Sequence, residues 1–90
     1  MATHQISRLN TGALVFTLTD HTDQVWGLAQ LSNENLASGS YDNTVKIWHP
    51  TTGTLLSTLT GHTNRVTTLA TLSNGNLASS SDDNTVKKWT

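Results

Sequence analysis

The sequence has no cysteine, a single proline and few charged side chains. The lack of cysteine excludes a disulfide framework, a thiolate metal site and a thiol nucleophile. Lys and Arg number 5 against 6 Asp and Glu, which gives a formal net charge of -1. Nucleic-acid binders and polybasic membrane anchors need a clustered basic surface that this composition does not supply. We therefore expect neither nucleic acid nor a membrane as a partner.

Long hydrophobic runs are also missing, and none approaches the length of a membrane-spanning helix or of a signal-peptide core. We expect a soluble, cytoplasmic protein. Only 34% of the 90 residues are hydrophobic, so a core built by this chain alone would be marginal. The chain is therefore expected to share its core with another surface.

An internal repeat dominates what the sequence does contain. Shifted by 41 positions, the chain aligns with itself, so that Asn35–Ser38 falls on Asn76–Ser79 and Asp42–Lys46 falls on Asp83–Lys87. The composition is rich in Thr, which favours strands. Each period is predicted to form four short strands separated by turns, and no segment has the periodicity of a helix. The strands are predicted at residues 13–19, 24–31, 35–40, 44–49, 54–60, 65–72, 76–81 and 85–90.

These motifs resemble the WD-repeat family of β-propellers. That family has a period of about 40–45 residues, four strands per blade and a Gly-His to Trp-Asp signature. Gly61-His62 matches the opening, and the run from Leu36 to Trp48 matches the rest of the pattern. The closing Asp is absent, because Trp48 is followed by His49 and Trp89 by Thr90. The resemblance covers residues 11–90 and implies an all-β fold.

Lys88 is a further departure from this pattern, because it stands where the first copy has Ile47. Ile47 is expected to face a neighbouring blade. The Lys88 side chain must then extend to the rim or weaken that contact.

Repeated Ser, His and Asp residues invite comparison with a hydrolase triad. The resemblance instead implies a structural hydrogen-bond network in each blade, in which Asp accepts from His, His meets the Ser hydroxyl, and Ser meets the Trp indole. Buried Trp needs a partner for its one donor, and a site copied into every blade favours structure over catalysis. The network residues are His21, Ser38, Asp42, Trp48, His62, Ser79, Asp83 and Trp89.

The resemblance also implies a candidate partner-binding rim, at the positions on either side of the first-strand Val and at the position before the turn Asp. These positions differ between the two copies and include Trp, Tyr and Arg, the residue types enriched in binding hot spots. They are equally consistent with tolerant surface positions that have drifted. The candidate rim residues are Gln24, Trp26, Tyr41, Arg65, Thr67 and Asp82.

Cofactor and metal sites have no support in the sequence. The four histidines, His4, His21, His49 and His62, lack the close spacing of metal ligands. No glycine-rich loop precedes a helix, as nucleotide binding would require. We therefore expect no cofactor, no metal and no catalytic residue.

Two blades alone would leave two apolar faces open, which is unfavourable for a soluble monomer. We therefore expect copies of the chain to close a ring head to tail. The expected organisation is a surplus, disordered segment at 1–10, a fourth strand at 11–19 donated to a neighbouring chain, a first blade at 20–60, and a second blade at 61–90 without its own fourth strand. Polar inner-strand residues suit a wide, wetted channel, so four chains and eight blades are favoured over three chains and six blades.

Two functions remain open from sequence. The chain is a non-catalytic scaffold that binds a protein or peptide on its rim, or it forms a small-molecule or enzymatic site in the channel of the ring. The second would require an unpaired acid, base or metal-ligand cluster facing the channel, and fold alone does not decide function. The near-identity of the copies is consistent with a natural fragment of a longer repeat array and with an engineered two-blade unit.

Overall fold

The computed structural model describes residues 4–7, 14–73 and 75–90. These residues form β-strands joined by tight turns, and no helix in this part of the chain is long and apolar enough to cross a membrane. In chain order the strands are β1 (His4–Ser7), β2 (Leu14–Leu18), β3 (Val25–Gln30), β4 (Leu36–Ser40), β5 (Val45–Trp48), β6 (Leu55–Leu59), β7 (Val66–Thr71), β8 (Leu77–Ser81) and β9 (Val86–Trp89).

The strands form three antiparallel sheets in the orders β1-β2, β3-β4-β5-β6 and β7-β8-β9. We refer to β3–β6 as the first blade and to β7–β9 as the second blade. The all-β prediction is confirmed, and every predicted strand is present with slightly shorter ends. Strands β3–β6 lie within residues 20–60 and β7–β9 within residues 61–90, and the domain bounds themselves stay predictions.

The turn between β4 and β5 shows how the sequence sets the strand ends. Asn43 has a φ of 73°, a left-handed conformation that Asn tolerates better than most residues. The backbone N–H of Asn43 donates to the carbonyl of Ser40 at 3.2 Å. Asn84 repeats this conformation between β8 and β9, with a φ of 70°. The repeated Asp-Asn-Thr sequence therefore closes the same hairpin in both blades.

A β-bulge in β3 separates the two faces of the first blade. Val25 pairs with Ser40 and Gly27 with Gly39, so Trp26 is the extra residue. The bulge directs Trp26 outward, where its side chain is 59% exposed. From the alternation along each strand, one face, here called the network face, carries Val25, Leu28, Ser38 and Trp48. The opposite face, here called the glycine face, carries Gly27, Ala29, Ala37, Gly39, Val45 and Ile47.

The core lies between the blades, where the network face of the second blade packs on the glycine face of the first. Val66 and Leu77 form one buried cluster with Ala37 and Val45. Two glycines permit this approach: a Cβ on Gly39 would lie 2.6 Å from Val66 Cγ1, and one on Gly27 would lie 3.1 Å from Leu69 Cγ. Real carbon atoms essentially never approach as closely as the first distance, and the second is tighter than most real contacts, so the close packing depends above all on Gly39.

The second blade leaves its other face uncovered in the single chain. Val86 is 73% exposed, whereas its equivalent Val45 is fully buried. Lys88 is exposed, whereas Ile47 packs against the core. We call this surface the open face; it carries Thr68, Ala70, Ala78, Ser80, Val86 and Lys88.

The described part of the N-terminal segment forms a strand in the single chain. Residues 4–7 form β1, which pairs with β2, and His4 is opposite Leu18 just as Val45 is opposite Leu59. In the single chain, residues 4–7 fill the edge of β2 that a second chain is expected to fill, and the disorder expected over 1–10 when the ring is assembled stays a prediction. Residues 1–3 and 8–13 lie outside the described residues, so the rest of that segment and the start of the 11–19 strand remain predictions.

Candidate functional site

A continuous hydrogen-bond chain crosses the network face of the first blade. His21 Nδ1 lies 2.8 Å from Asp42 Oδ2, and His21 Nε2 lies 2.7 Å from Ser38 Oγ. The indole N–H of Trp48 donates to Ser38 Oγ at 2.8 Å. The indole only donates, so the Ser38 hydroxyl accepts from it, and the Asp42 carboxylate only accepts, so Nδ1 of His21 donates to that carboxylate.

The second blade repeats this chain with nearly the same geometry. His62 Nδ1 lies 2.9 Å from Asp83 Oδ2, and His62 Nε2 lies 2.7 Å from Ser79 Oγ. Trp89 Nε1 donates to Ser79 Oγ at 2.8 Å. The structure thus brings together all eight residues that the resemblance places in the network, four in each blade. Within the described residues, no buried side-chain nitrogen or oxygen lacks a hydrogen-bond partner.

The Asp42 carboxylate also fastens the loop before β3 to the turn after β4. It accepts from the backbone N–H groups of Thr22 and Thr44, both at 3.0 Å, and from the Thr44 hydroxyl. Burial by itself would raise the pKa of Asp42. The hydrogen bonds from Thr44, His21 and Thr22 favour the carboxylate more strongly, so the pKa lies below its ordinary value of 3.8.

Asp83 makes the equivalent contacts in the second blade. The hydrogen bond from the Thr85 hydroxyl is the largest cause of a pKa well below the ordinary value, and bonds from His62 and Thr63 lower the pKa further. Thr22, Thr44, Thr63 and Thr85 were not among the residues predicted from the sequence. The signal was present, because His-Thr and Asp-Asn-Thr recur in both copies.

The arrangement does not suit nucleophilic catalysis. In a hydrolase triad the serine oxygen must reach a substrate carbonyl. Ser38 is only 1% exposed, and its oxygen already has Trp48 on one side and His21 on the other. Ser79 is equally buried and sits between His62 and Trp89. Among the described residues, no group of three or more His, Cys, Asp or Glu residues could hold a metal ion.

Four of the six candidate rim residues meet in one cluster, here called the rim stack. The rings of Trp26 and Tyr41 stack with centroids 5.3 Å apart and planes 14° apart. The Arg65 guanidinium lies 4.8 Å from the centroid of the Tyr41 ring. Trp26 Nε1–H donates to Gln24 Oε1 at 3.0 Å. Since Arg65 belongs to the second blade, the rim stack spans the junction between the two blades.

The other two rim candidates lie apart from this stack. Thr67 is half-buried, and its hydroxyl lies 3.4 Å from the Ser80 carbonyl oxygen. Asp82 is exposed, and its backbone N–H donates to the Arg65 carbonyl at 3.0 Å. The role of these positions at a partner-binding rim stays a prediction, and the sequence could not indicate that the cation of one blade would lie over the aromatic ring of the other.

A cleft of about 270 Å³ opens between the blades, on the side of the turns at residues 31–35 and 72–76. Its walls carry the apolar side chains of Leu31, Ile47, Leu59 and Leu77 together with polar turn residues. The residues that line it include no Asp, Glu, His, Lys or Arg, so the cleft lacks the convergent acid and base groups of an enzyme site.

Comparison with known proteins places these features in a family. The family model described as WD domain, G-beta repeat matches residues 12–49 and again residues 53–90. None of the curated proteins compared with the chain matches it.

Two solved structures show the fold. The WD40 beta propeller domain of Doa1 superposes with a TM-score of 0.90 at 26% sequence identity, over 98% of this chain and 30% of that one. The computationally designed Ika4 protein superposes with a TM-score of 0.77 at 36% identity, over 90% of this chain and 49% of that one. The chain thus spans less than half the length of either. With two consecutive family matches that cover most of its residues, the protein belongs to the WD-repeat family.

Proposed function

We propose that the protein is a non-catalytic structural module that assembles head to tail into a closed propeller. The observation that carries this proposal is the pair of uncovered faces. The open face of the second blade exposes Val86, and the network face of the first blade leaves Leu28 46% exposed. Val45 is the repeat equivalent of Val86, and Leu69 is the repeat equivalent of Leu28. Within the chain, Val45 and Leu69 both pack in the core between the two blades. A second copy would place its network face on the open face, as the second blade places its network face on the glycine face within the chain. Its own open face would likewise cover the network face of a first blade.

Strand exchange completes each sheet of the proposed ring. Within the described residues, β9 pairs only with β8, so its other edge is free. Because β1 pairs with β2 in the register of β5 with β6, β1 occupies the place of a third strand. In the ring, β9 of a neighbouring chain takes that place on β2. This exchange removes a free sheet edge from each chain.

Each chain contributes two blades, so only even rings are possible, and we favour four chains and eight blades over three chains and six blades. Light scattering over a range of protein concentrations tests this directly. The expected mass is that of four chains, and we define the half-assembly concentration as the one at which half of the chains are assembled. A mass of three chains would correct the ring size, and a folded single chain at every concentration would refute the assembly.

The rim stack is the proposed binding site for a protein or peptide partner. An exposed Trp and an Arg held over an aromatic ring are residue types that dominate binding energy at interfaces. A peptide-array screen of the wild type and of two single variants, Trp26→Thr and Arg65→Gln, tests this role. Thr is already the residue at position 67, the repeat equivalent of Trp26, so the fold should tolerate the change. Peptides bound equally by the wild type and both variants would argue against the rim stack.

A further inference from the structure

The glycines that allow close packing within the chain have no counterpart at the junction between chains. The first blade presents Gly27 and Gly39 as a cross-strand pair, whereas the open face presents Thr68 and Ser80 as the equivalent pair. If a second copy docked with the spacing found within the chain, its Val25 would take the position of Val66. The Cβ of Ser80 would then lie about where a Cβ on Gly39 meets Val66 Cγ1, at 2.6 Å.

A glycine is also replaced by a larger residue at a turn beside the junction between blades. Gly75, in the turn between β7 and β8, lies so close to Ser32 of the first blade that a Cβ there would meet its hydroxyl at 2.5 Å. The repeat equivalent of Gly75 is Glu34, which has a similar left-handed backbone with a φ of 74°. A second copy would therefore bring a glutamate, in place of a glycine, against the second blade of the first copy.

The charges at these positions are complementary. Ile47 and Gly75 line the same cleft between the blades of one chain. Between chains, the equivalent cleft is lined by Lys88 of one copy and Glu34 of the next. Both side chains are exposed in the single chain, and neither forms a salt bridge within its described part. An apolar residue and a glycine that line the cleft within the chain are thus replaced by a cation and an anion that line the equivalent cleft between chains.

We propose that the ring alternates between two kinds of junction: a close, glycine-lined junction within each chain, and a wider junction between chains that Lys88 and Glu34 close with an ion pair. This inference rests on the proposed self-assembly and deepens it. A wider junction leaves room for the side chains of Thr68 and Ser80, and the long side chains of Lys88 and Glu34 span the added distance.

The wider junction also favours the larger ring. Within the chain the blades approach each other mainly through β3 and β4 on one side and β7 on the other. Thr68 and Ser80 lie on β7 and β8, so the added atoms stand where adjacent blades come closest. Separating blades at this edge reduces the angle between them, and a smaller angle requires more blades to complete the circle.

Charge reversal tests the ion pair. Lys88→Glu and Glu34→Lys are each expected to raise the half-assembly concentration about threefold to tenfold, because each converts an attraction into a repulsion at every chain junction. The double variant is expected to return to within about twofold of the wild type, and 1 M salt should remove most of the differences. Asp20→Lys, an equal charge change in an exposed loop, is the matched control and should have little effect.

A second pair of variants tests the spacing. Thr68→Gly with Ser80→Gly removes both Cβ atoms, whereas Thr68→Ala with Ser80→Ala removes only the hydroxyl and methyl groups and keeps the Cβ atoms. The glycine variant should assemble about tenfold more tightly than the alanine variant, since the regained contact equals burial of about two methylene groups.

The outcomes separate this inference from the proposed function. If the wild type remains a single chain at every concentration, both are refuted. If the wild type assembles but the double charge reversal stays as weak as the single reversals, or if the alanine variant assembles as tightly as the glycine variant, the alternating junction is refuted and the ring remains.

Discussion

At the scale of single residues, the one hydroxyl group of Ser38 forms hydrogen bonds with two neighbours, His21 and Trp48. Ser38→Ala would leave the Trp48 indole N–H and the His21 Nε2 without a partner in a buried position. We expect it to lower the free energy of unfolding by about 1–3 kcal/mol for each group left unpaired. Urea unfolding followed by Trp fluorescence measures the change. Ser57→Ala, at an exposed position on β6, is the control and should change the stability little.

The carboxylates of the two networks give the stability a defined pH dependence. The pKa values of Asp42 and Asp83 are lower in the folded chain than the ordinary value of 3.8. Their contribution is therefore complete above about pH 5 and is lost as the pH falls below 4 toward the folded pKa values. Urea midpoints between pH 7 and pH 2 should decline along this course. In Asp83→Asn, stability should be lower at pH 7 and the acid decline shallower; an unchanged decline would contradict the assignment.

At the scale of strands and blades, Gly39 sets how closely the blades approach. Gly39→Ala places a methyl group 2.6 Å from Cγ1 of the fully buried Val66, which has little room to move. We expect a destabilisation of about 1–3 kcal/mol, the usual range for overpacking a core. Ser80→Ala is the matched control, because this repeat-equivalent position already carries a Cβ, and the change should be within about 0.5 kcal/mol. Equal effects at the two positions would show that the junction can relax.

The sequence predicted strands more completely than contacts between them. The internal repeat located the turn residues Asp42 and Asn43, and the network of His21 and Ser38 was predicted from the family resemblance of both copies. The role of Gly39 could not be predicted in this way, because it depends on Val66, which approaches through space from another sheet. The pairing of β1 with β2 in the single chain was not predicted, because the sequence analysis assigned the edge of β2 to a neighbouring chain.

At the scale of the whole molecule, β1 and a neighbour's β9 compete for one edge of β2 in the proposed ring. Deleting residues 1–7 removes the internal competitor and leaves that edge free. We expect the deletion to lower the half-assembly concentration about tenfold or more, because each chain no longer gives up the pairing of β1 when it assembles. Light scattering over a dilution series measures this.

Deleting only residues 1–3 serves as the control, since β1 begins at His4 and is retained. That shorter deletion should assemble like the wild type. If removal of residues 1–7 weakens assembly, β1 supports the ring rather than competing with it, and the proposed exchange is wrong.

The pairing of β1 with β2 also has a kinetic consequence. A chain whose β2 edge is already occupied must release β1 before another chain can bind there, so a unimolecular opening step precedes each productive encounter. At low concentration the rate of ring formation should rise with concentration, and at high concentration it should level off at the rate of β1 release. The same step hinders the growth of open-ended filaments, the alternative outcome of head-to-tail association, because an incoming chain meets a sheet edge that is already paired.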